Sequence, residues 1–209
     1  MYLPAHFRVD DPQALCAVIR EHPLSLMITL VDGVPTADHI PVEIEATESG
    51  WQLRGHIARA NPMHRHVGAG DEVLFVFRSK EAYVSPNWYP SKAQHGKAVP
   101  TWNYEAVHVR GRLHWHSAAE QSLPIVTALT DRHESTQPHP WAVTDAPADY
   151  LEAMLKAIVG FTVEVTSMVG KFKASQNRSP EDRDGLRRGL ADAGLDAGTV
   201  AALARDPMP

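Results

Sequence analysis

The sequence predicts a mainly β fold with peripheral helices, an antiparallel barrel rather than a doubly wound parallel sheet. Three observations carry this. About seven segments read as strands by apolar alternation and turn signals. The helical stretches between them are short and do not alternate regularly with strands, as βαβ units require. No GxGxxG or GxxxxGK[ST] phosphate loop occurs. The 209 residues are 44% hydrophobic and 22% charged, which suits a chain that buries a full core without staples and excludes a disordered or collagen-like one.

Each element has a local reason. Asp11-Pro12 opens a short helix, with Leu15, Val18 and Ile19 on one face and His22-Pro23 as the stop. Leu24 to Val31 is an apolar strand ended by the turn signal Asp32-Gly33. Val34 to Glu45 reads as a second strand broken by Pro35 and Pro41. Trp51 to Ile57 alternates cleanly, with Gln52, Arg54 and His56 opposite Trp51, Leu53 and Ile57. Ala60 to Val67 is expected to be helical and Asp71 to Arg78 a strand, followed by a separate extended piece at Tyr83 to Ser85.

Pro86 to Thr101 reads as a long loop carrying aromatic residues. Tyr104 to His116 is the longest expected strand, with His108, Arg110, Arg112, His114 and His116 on one side. Ser117 and Glu120 have capping-box spacing ahead of a helix that Pro124 must kink or shift. Leu151, Met154, Leu155 and Ile158 give helical spacing, Gly160 ends that helix, and Phe161 to Met168 is the last strand. Ser179-Pro180 starts a helix, Gly194 breaks it, and Ala197 to Ala204 forms a final small one.

Composition bounds the function. Twenty basic residues against 25 acids leave a net charge of −5, a poor footprint for gripping phosphate backbone over a wide surface. The single cysteine, Cys16, excludes an internal disulfide framework and fits a reducing compartment. Neither a bilayer-spanning run nor a signal peptide is visible, so a soluble cytoplasmic protein is expected, without membrane partners.

Four constellations could carry chemistry. Arg54-Gly-His56-Ile-Ala-Arg59-Ala-Asn61-Pro62 offers guanidinium, imidazole and helix-start N–H donors, an anion pocket or simply a strand followed by a capped helix. Tyr83 to Tyr89 with Val99 to Tyr104 could wall a flat ligand or form an aromatic minicore. The pairs His64/His66 and His114/His116 have chelating spacing, but no carboxylate completes either, and no metal is expected. Lys171 to Arg178 supplies cations and amides for an anion, or is an ordinary basic loop. Glu43 and Glu45 share a strand face without a marked partner.

Six segments then add up. Met1-Tyr-Leu-Pro-Ala-His-Phe7, Ala37-Asp-His-Ile-Pro41, Gly55-His-Ile-Ala-Arg-Ala-Asn-Pro62, Tyr83-Val-Ser-Pro-Asn-Trp-Tyr89, Val99-Pro-Thr-Trp-Asn-Tyr104 and Lys171-Phe-Lys-Ala-Ser-Gln-Asn177 follow one another in a recognisable order. In these the chain resembles the PaiB-like, FMN-binding negative transcriptional regulators. The resemblance runs from residue 1 to about 190 and implies an FMN-binding split β-barrel, related to the pyridoxamine-phosphate oxidase and flavin reductase barrels; the barrel domain is expected over residues 1–175, with a C-terminal helical appendage over 176–209. It implies a homodimer with FMN at the subunit interface. Arg54, His56, Arg59 and Asn61 would meet the phosphate, and Ala37, Asp38, His39, Ile40 and Pro41 would give backbone contacts to the ring. Trp88, Trp102 and Tyr104 would wall it, and Lys171, Gln176 and Asn177 would come from the partner chain.

The resemblance also implies repression through operator DNA, and here the residues disagree. Arg178 to Pro209 holds five arginines against six acids, and Ala197 to Ala204 has no basic residue to present to a groove. An FMN-dependent oxidoreductase without direct DNA binding is the alternative, and haem held by a histidine a more distant one.

Overall fold

A computed structural model describes residues 1–206. Seven strands form one sheet: β1 (Arg8–Val9), β2 (Leu24–Val31), β3 (Val34–Thr47), β4 (Gly50–Ala58), β5 (Glu72–Val84), β6 (Thr101–His116) and β7 (Ile158–Lys173). The helices are α1 (Pro12–Glu21), α2 (Met63–His66), α3 (Pro90–His95), α4 (Ala119–Glu134), α5 (Ala148–Lys156), α6 (Pro180–Asp192) and α7 (Ala197–Leu203). The strand order is β1-β7-β4-β3-β2-β5-β6, and β6 also pairs with β7. The chain divides into two compact units built from separated stretches.

The larger unit comprises Ile19–Phe77 and Val109–Met168. Within it the strands run β7-β4-β3-β2-β5-β6 and return to β7, which closes a barrel. The pairs β2/β3, β2/β5, β3/β4 and β4/β7 are antiparallel. Its interior is apolar: Met27, Leu53, Phe75, Val109, Leu113, Phe161 and Val163 are fully buried. Phe75 and Trp115 both pack on Phe161, at ring centroid distances of 6.1 and 5.8 Å. The barrel wall is tight at Gly111, where a Cβ would lie 2.3 Å from the Glu164 carbonyl oxygen.

The smaller unit comprises Met1–Val18, Arg78–His108 and the chain from Val169 onward. Its core gathers Ala82, Val84, Tyr89, Leu186, Leu190 and Leu203, with Trp88 packed against them. A Cβ on Gly189 would lie 2.2 Å from the Trp88 indole, so this glycine is required by close approach.

Several elements follow directly from local chemistry. The Asp11 carboxylate accepts from the N–H groups of Gln13 and Ala14 and caps α1. Asp32 and Gly33 both have positive φ, as a two-residue hairpin turn of type I′ requires. Ser179 accepts from the Asp182 N–H at the start of α6.

Other expectations need correction. Strand β3 is continuous through Pro35 and Pro41. The reason lies in its partners: residues 34–41 pair with β2, and residues 42–47 pair with β4. The Val42 N–H reaches back to the Pro23 carbonyl, on the β2 side. Backbone groups alternate in direction along a strand, so the nitrogens of residues 35, 37, 39 and 41 face away from β2. Both prolines therefore remove a donor where no ladder uses it. The two pieces expected at Asp71–Arg78 and Tyr83–Ser85 are one strand, β5.

Gly160 does not end α5; it lies in β7, where a Cβ would come 2.9 Å from Ser122 Oγ of α4. Ile158 likewise belongs to the strand rather than the helix. Ser117 does not cap α4: the cap position is Ala118, with no side-chain bond, and Pro124 sits inside the helix. The helix expected over Ala60 to Val67 shrinks to α2, and the long loop after Pro86 contains α3. Lys171 and Lys173 lie in β7 rather than in a basic loop.

Candidate functional site in the barrel unit

Where β3 changes partner, β3 and β4 part. The last paired residues are Val42 and Gly55. Beyond them Asp38, His39, Ile40 and Pro41 face His56, Ile57, Ala58 and Asn61 across a cleft of about 190 Å³. Four residues of the segment expected to touch a flavin ring, together with His56 and Asn61, thus line one opening. By the same alternation, the backbone groups of Ala37 and His39 turn toward this opening instead of β2. Asn61 shapes its end: Oδ1 accepts from the Met63 N–H and its carbonyl contacts His64 Nδ1.

His56 stands at the centre. Its Nδ1 is buried with no hydrogen-bond partner. Burial pushes the imidazole below its ordinary value, which favours the neutral ring. A neutral imidazole carries one donor and one acceptor nitrogen, and His56, a lining residue of the cleft, leaves Nδ1 without a partner among the described residues.

Two cavities adjoin this opening through shared residues. One, of about 390 Å³, is lined by Val31, Thr36, Asp38, Asn61, Pro62 and Met63. The other, of about 280 Å³, is lined by Pro41, His56, Leu129, Thr130, His133, Glu134 and Trp141. Sequence reasoning passed over this last wall. The only available signal was Trp141 itself, set in a loop between Pro140 and Ala142.

The two arginines of the expected anion pocket are engaged elsewhere. Arg54 is clamped by Glu43 (2.8 Å) and Glu45 (3.1 Å), which gives those carboxylates the partner the sequence had not marked. Arg59 donates to the carbonyls of Lys156 (2.7 Å), Ser117 (3.0 Å) and Ile158 (2.7 Å), fastening α4 and α5 to the barrel. Among the described residues no lysine or arginine lines the His56 cleft. His116, of the other paired-histidine motif, contacts Thr162 Oγ1 at 3.0 Å.

The remaining expected residues lie in the smaller unit. Trp88 is packed in its core, whereas Trp102 is 55% exposed and meets Tyr83 edge to face. Lys171 is buried with its ammonium over the rings of Tyr2 and Tyr104, at 5.5 and 5.4 Å. Gln176 is spent on the backbone, accepting from Ala174 and donating to Phe172. Asn177 joins Lys173, Arg178, Ser175, Thr101, Tyr89 and His6 around a cavity of about 240 Å³ with no acid in its lining among the described residues. Burial, then the charges of Lys171 and Arg178, push the Lys173 ammonium below its ordinary value. Cations crowded without a carboxylate favour an anion.

This geometry fits a flavin in part. The strand edges and the orphaned His56 nitrogen suit the polar rim of a ring system, and the acid-free cavity suits a phosphate. A barrel closed by the β6/β7 pairing, with a split between β3 and β4, has the fold of the split-barrel class. Residues 1–167 match the family model described as "Putative FMN-binding domain", and the chain belongs to this PaiB-like, FMN-binding family.

Among its relatives is the "Protease synthase and sporulation protein PAI 2" of Bacillus subtilis, 31% identical over 182 residues, covering 87% of this chain and 85% of that one. An uncharacterized protein of Emericella nidulans is 32% identical, covering 97% and 95%. In fold the chain is similar to the FAD and heme binding protein from Mycobacterium smegmatis (TM-score 0.61, 16% identity, 90% and 81% covered). It is also similar to the flavocytochrome Anf3 from Azotobacter vinelandii (TM-score 0.59, 13% identity, 85% and 75% covered). Among the described residues no helix is long and apolar enough to cross a membrane.

Proposed function

We propose that the protein is a homodimeric flavoprotein that holds FMN against the split between β3 and β4. The observation that carries this is the buried, unpartnered Nδ1 of His56 beside the open edges of β3 and β4. When bound, the flavin supplies reversible electron transfer. His56 and the backbone of Ala37 and His39 orient the ring's polar rim, and Pro41 and Ile40 give it apolar contact.

A second copy of the chain completes the site. The His56 cleft, at about 190 Å³, is below the size of pockets that enclose a cofactor. It also lacks a cation for the phosphate, since Arg54 and Arg59 are engaged by protein acceptors. The partner's Lys171–Arg178 segment supplies the missing charge, with Arg178 and Asn177 as the donors and Lys173 adding its charge while it donates to Thr101 Oγ1 and the Trp102 carbonyl. The test pairs light scattering with flavin fluorescence titration. A dimer that loses FMN affinity about 10–100-fold in Arg178→Ala supports the reading, as expected for one or two charged hydrogen bonds. A monomer that binds FMN at full strength overturns it.

The Bacillus relative's name ties that protein to protease synthesis and sporulation, and we extend a regulatory role to this chain through its flavin rather than through its own grip on DNA. Among the C-terminal arginines, Arg183 and Arg187 pair with Asp206, and Arg187 also with Asp184. Helix α7 carries no basic residue. A gel shift at low salt that finds tight operator binding by the protein alone contradicts this.

One observation favours an oxidoreductase as the second reading: a second cavity adjoins the flavin cleft and shares Pro41 and His56 with it. Bleaching of bound FMN by a reduced nicotinamide, with reoxidation by an acceptor, separates an enzyme from a sensor.

A further inference from the structure

The cavity beyond His56 is built as a site of its own. Its apolar lining is Pro41, Leu129 and Trp141, with Glu134, His133, Thr130 and His56 as polar groups. The Trp141 indole is 46% exposed although its backbone is fixed. The Trp141 N–H donates to Glu134 Oε2 at 2.9 Å, and the adjacent Ala142 N–H to Asp145 at 2.9 Å. The indole is therefore presented on an anchored loop, at low entropy cost for a ring that stacks on it. Among the described residues Glu134 is the only acid in the lining, which includes neither lysine nor arginine. Its Oε2 already accepts one backbone hydrogen bond, and a carboxylate has further acceptor capacity on both oxygens.

We infer that this cavity binds a small planar aromatic molecule bearing a positive charge or a strong hydrogen-bond donor. The ring lies against the apolar lining of Trp141, Pro41 and Leu129, and the charged or donor end meets Glu134. A volume of about 280 Å³ suits one or two fused rings and not a dinucleotide or a tetrapyrrole. Cation–π attraction by the indole and the carboxylate select the same sign of charge. Because His56 and Pro41 belong to both cavities, the occupant would sit beside the flavin. That consequence rests on the flavin reading above; the aromatic site itself does not.

Calorimetric titration of the full chain at pH 8, with and without FMN, tests this with two probes. The planar cation 1-methylquinolinium is expected to bind saturably, and the planar anion 2-naphthoate at least ten-fold more weakly. Trp141→Ala should abolish cation binding while leaving the FMN affinity unchanged. Glu134→Gln keeps an acceptor for the Trp141 N–H and should cost the cation about ten-fold without affecting the melting temperature. Equal binding of both probes, or cation binding indifferent to Trp141→Ala, overturns the proposal. A chain that binds the cation but no FMN refutes the flavin reading and leaves this site standing.

Discussion

Replacing His56 by leucine should move stability and cofactor affinity in opposite directions. The buried Nδ1 has no partner among the described residues, and an orphaned buried polar atom costs about 1–3 kcal/mol. Leucine has similar bulk and no polar atom, so H56L removes that cost. Allowing for imperfect repacking, the flavin-free variant should gain about 1 kcal/mol, or about 2–4 °C in Tm for a chain of this length. FMN affinity should fall by about 3–10-fold, the worth of one neutral hydrogen bond. Differential scanning fluorimetry without ligand reads the first change and flavin fluorescence titration the second. A variant that melts lower than wild type and binds FMN equally well refutes the placement of a waiting hydrogen-bonding group at this nitrogen.

Other outcomes follow from the same geometry. Burial pushes His56 below 6.5, and burial then the charge of His114 do the same to His116. The unfolded chain takes up these protons first, so stability is full above about pH 6.5 and falls as the pH drops below it; H56L should flatten part of that decline in urea titrations. Arg59→Ala releases three carbonyls from their donor and should lower stability by about 2–3 kcal/mol, read as a fall in the urea midpoint. Gly111→Ala forces a methyl group against the Glu164 carbonyl and should cost about 3 kcal/mol or prevent folding, seen as loss of soluble protein. Raising salt from 50 to 500 mM should weaken FMN binding to wild type more than to Arg178→Ala, if that guanidinium meets the phosphate.

Local signals in the sequence located the elements well where the local chemistry decides. The α1 and α6 starts, strand β2 and its hairpin turn are written in Asp11-Pro12, Ser179-Pro180 and Asp32-Gly33. The misreadings share a cause: a residue that breaks structure in isolation was accommodated by a distant neighbour. Pro35 and Pro41 stay in β3 because their nitrogens face away from β2. Gly160 stays in β7 because Ser122 leaves no room for a larger residue.

The site shows the same division. The motifs gathered Asp38 to Pro41 with His56 and Asn61 because they flank one strand split. Spacing alone gave no sign that Arg54 would be neutralised by Glu43 and Glu45 across a strand pair, since register is a tertiary fact. It also gave no sign that Trp141, far along the chain, would reach the neighbourhood of His56.

The two imino acids of β3 have a further consequence. Continued in register, the ladder between β3 and β4 would set Pro41 opposite His56 and His39 opposite Ala58. Pro41 cannot zip that ladder, and Pro35 blunts the same exposed margin against recruitment of a stray strand from another molecule. The slot is thus held open before anything enters it. Its occupant displaces no backbone pairing on arrival, and the barrel keeps a permanent gap without becoming a template for aggregation.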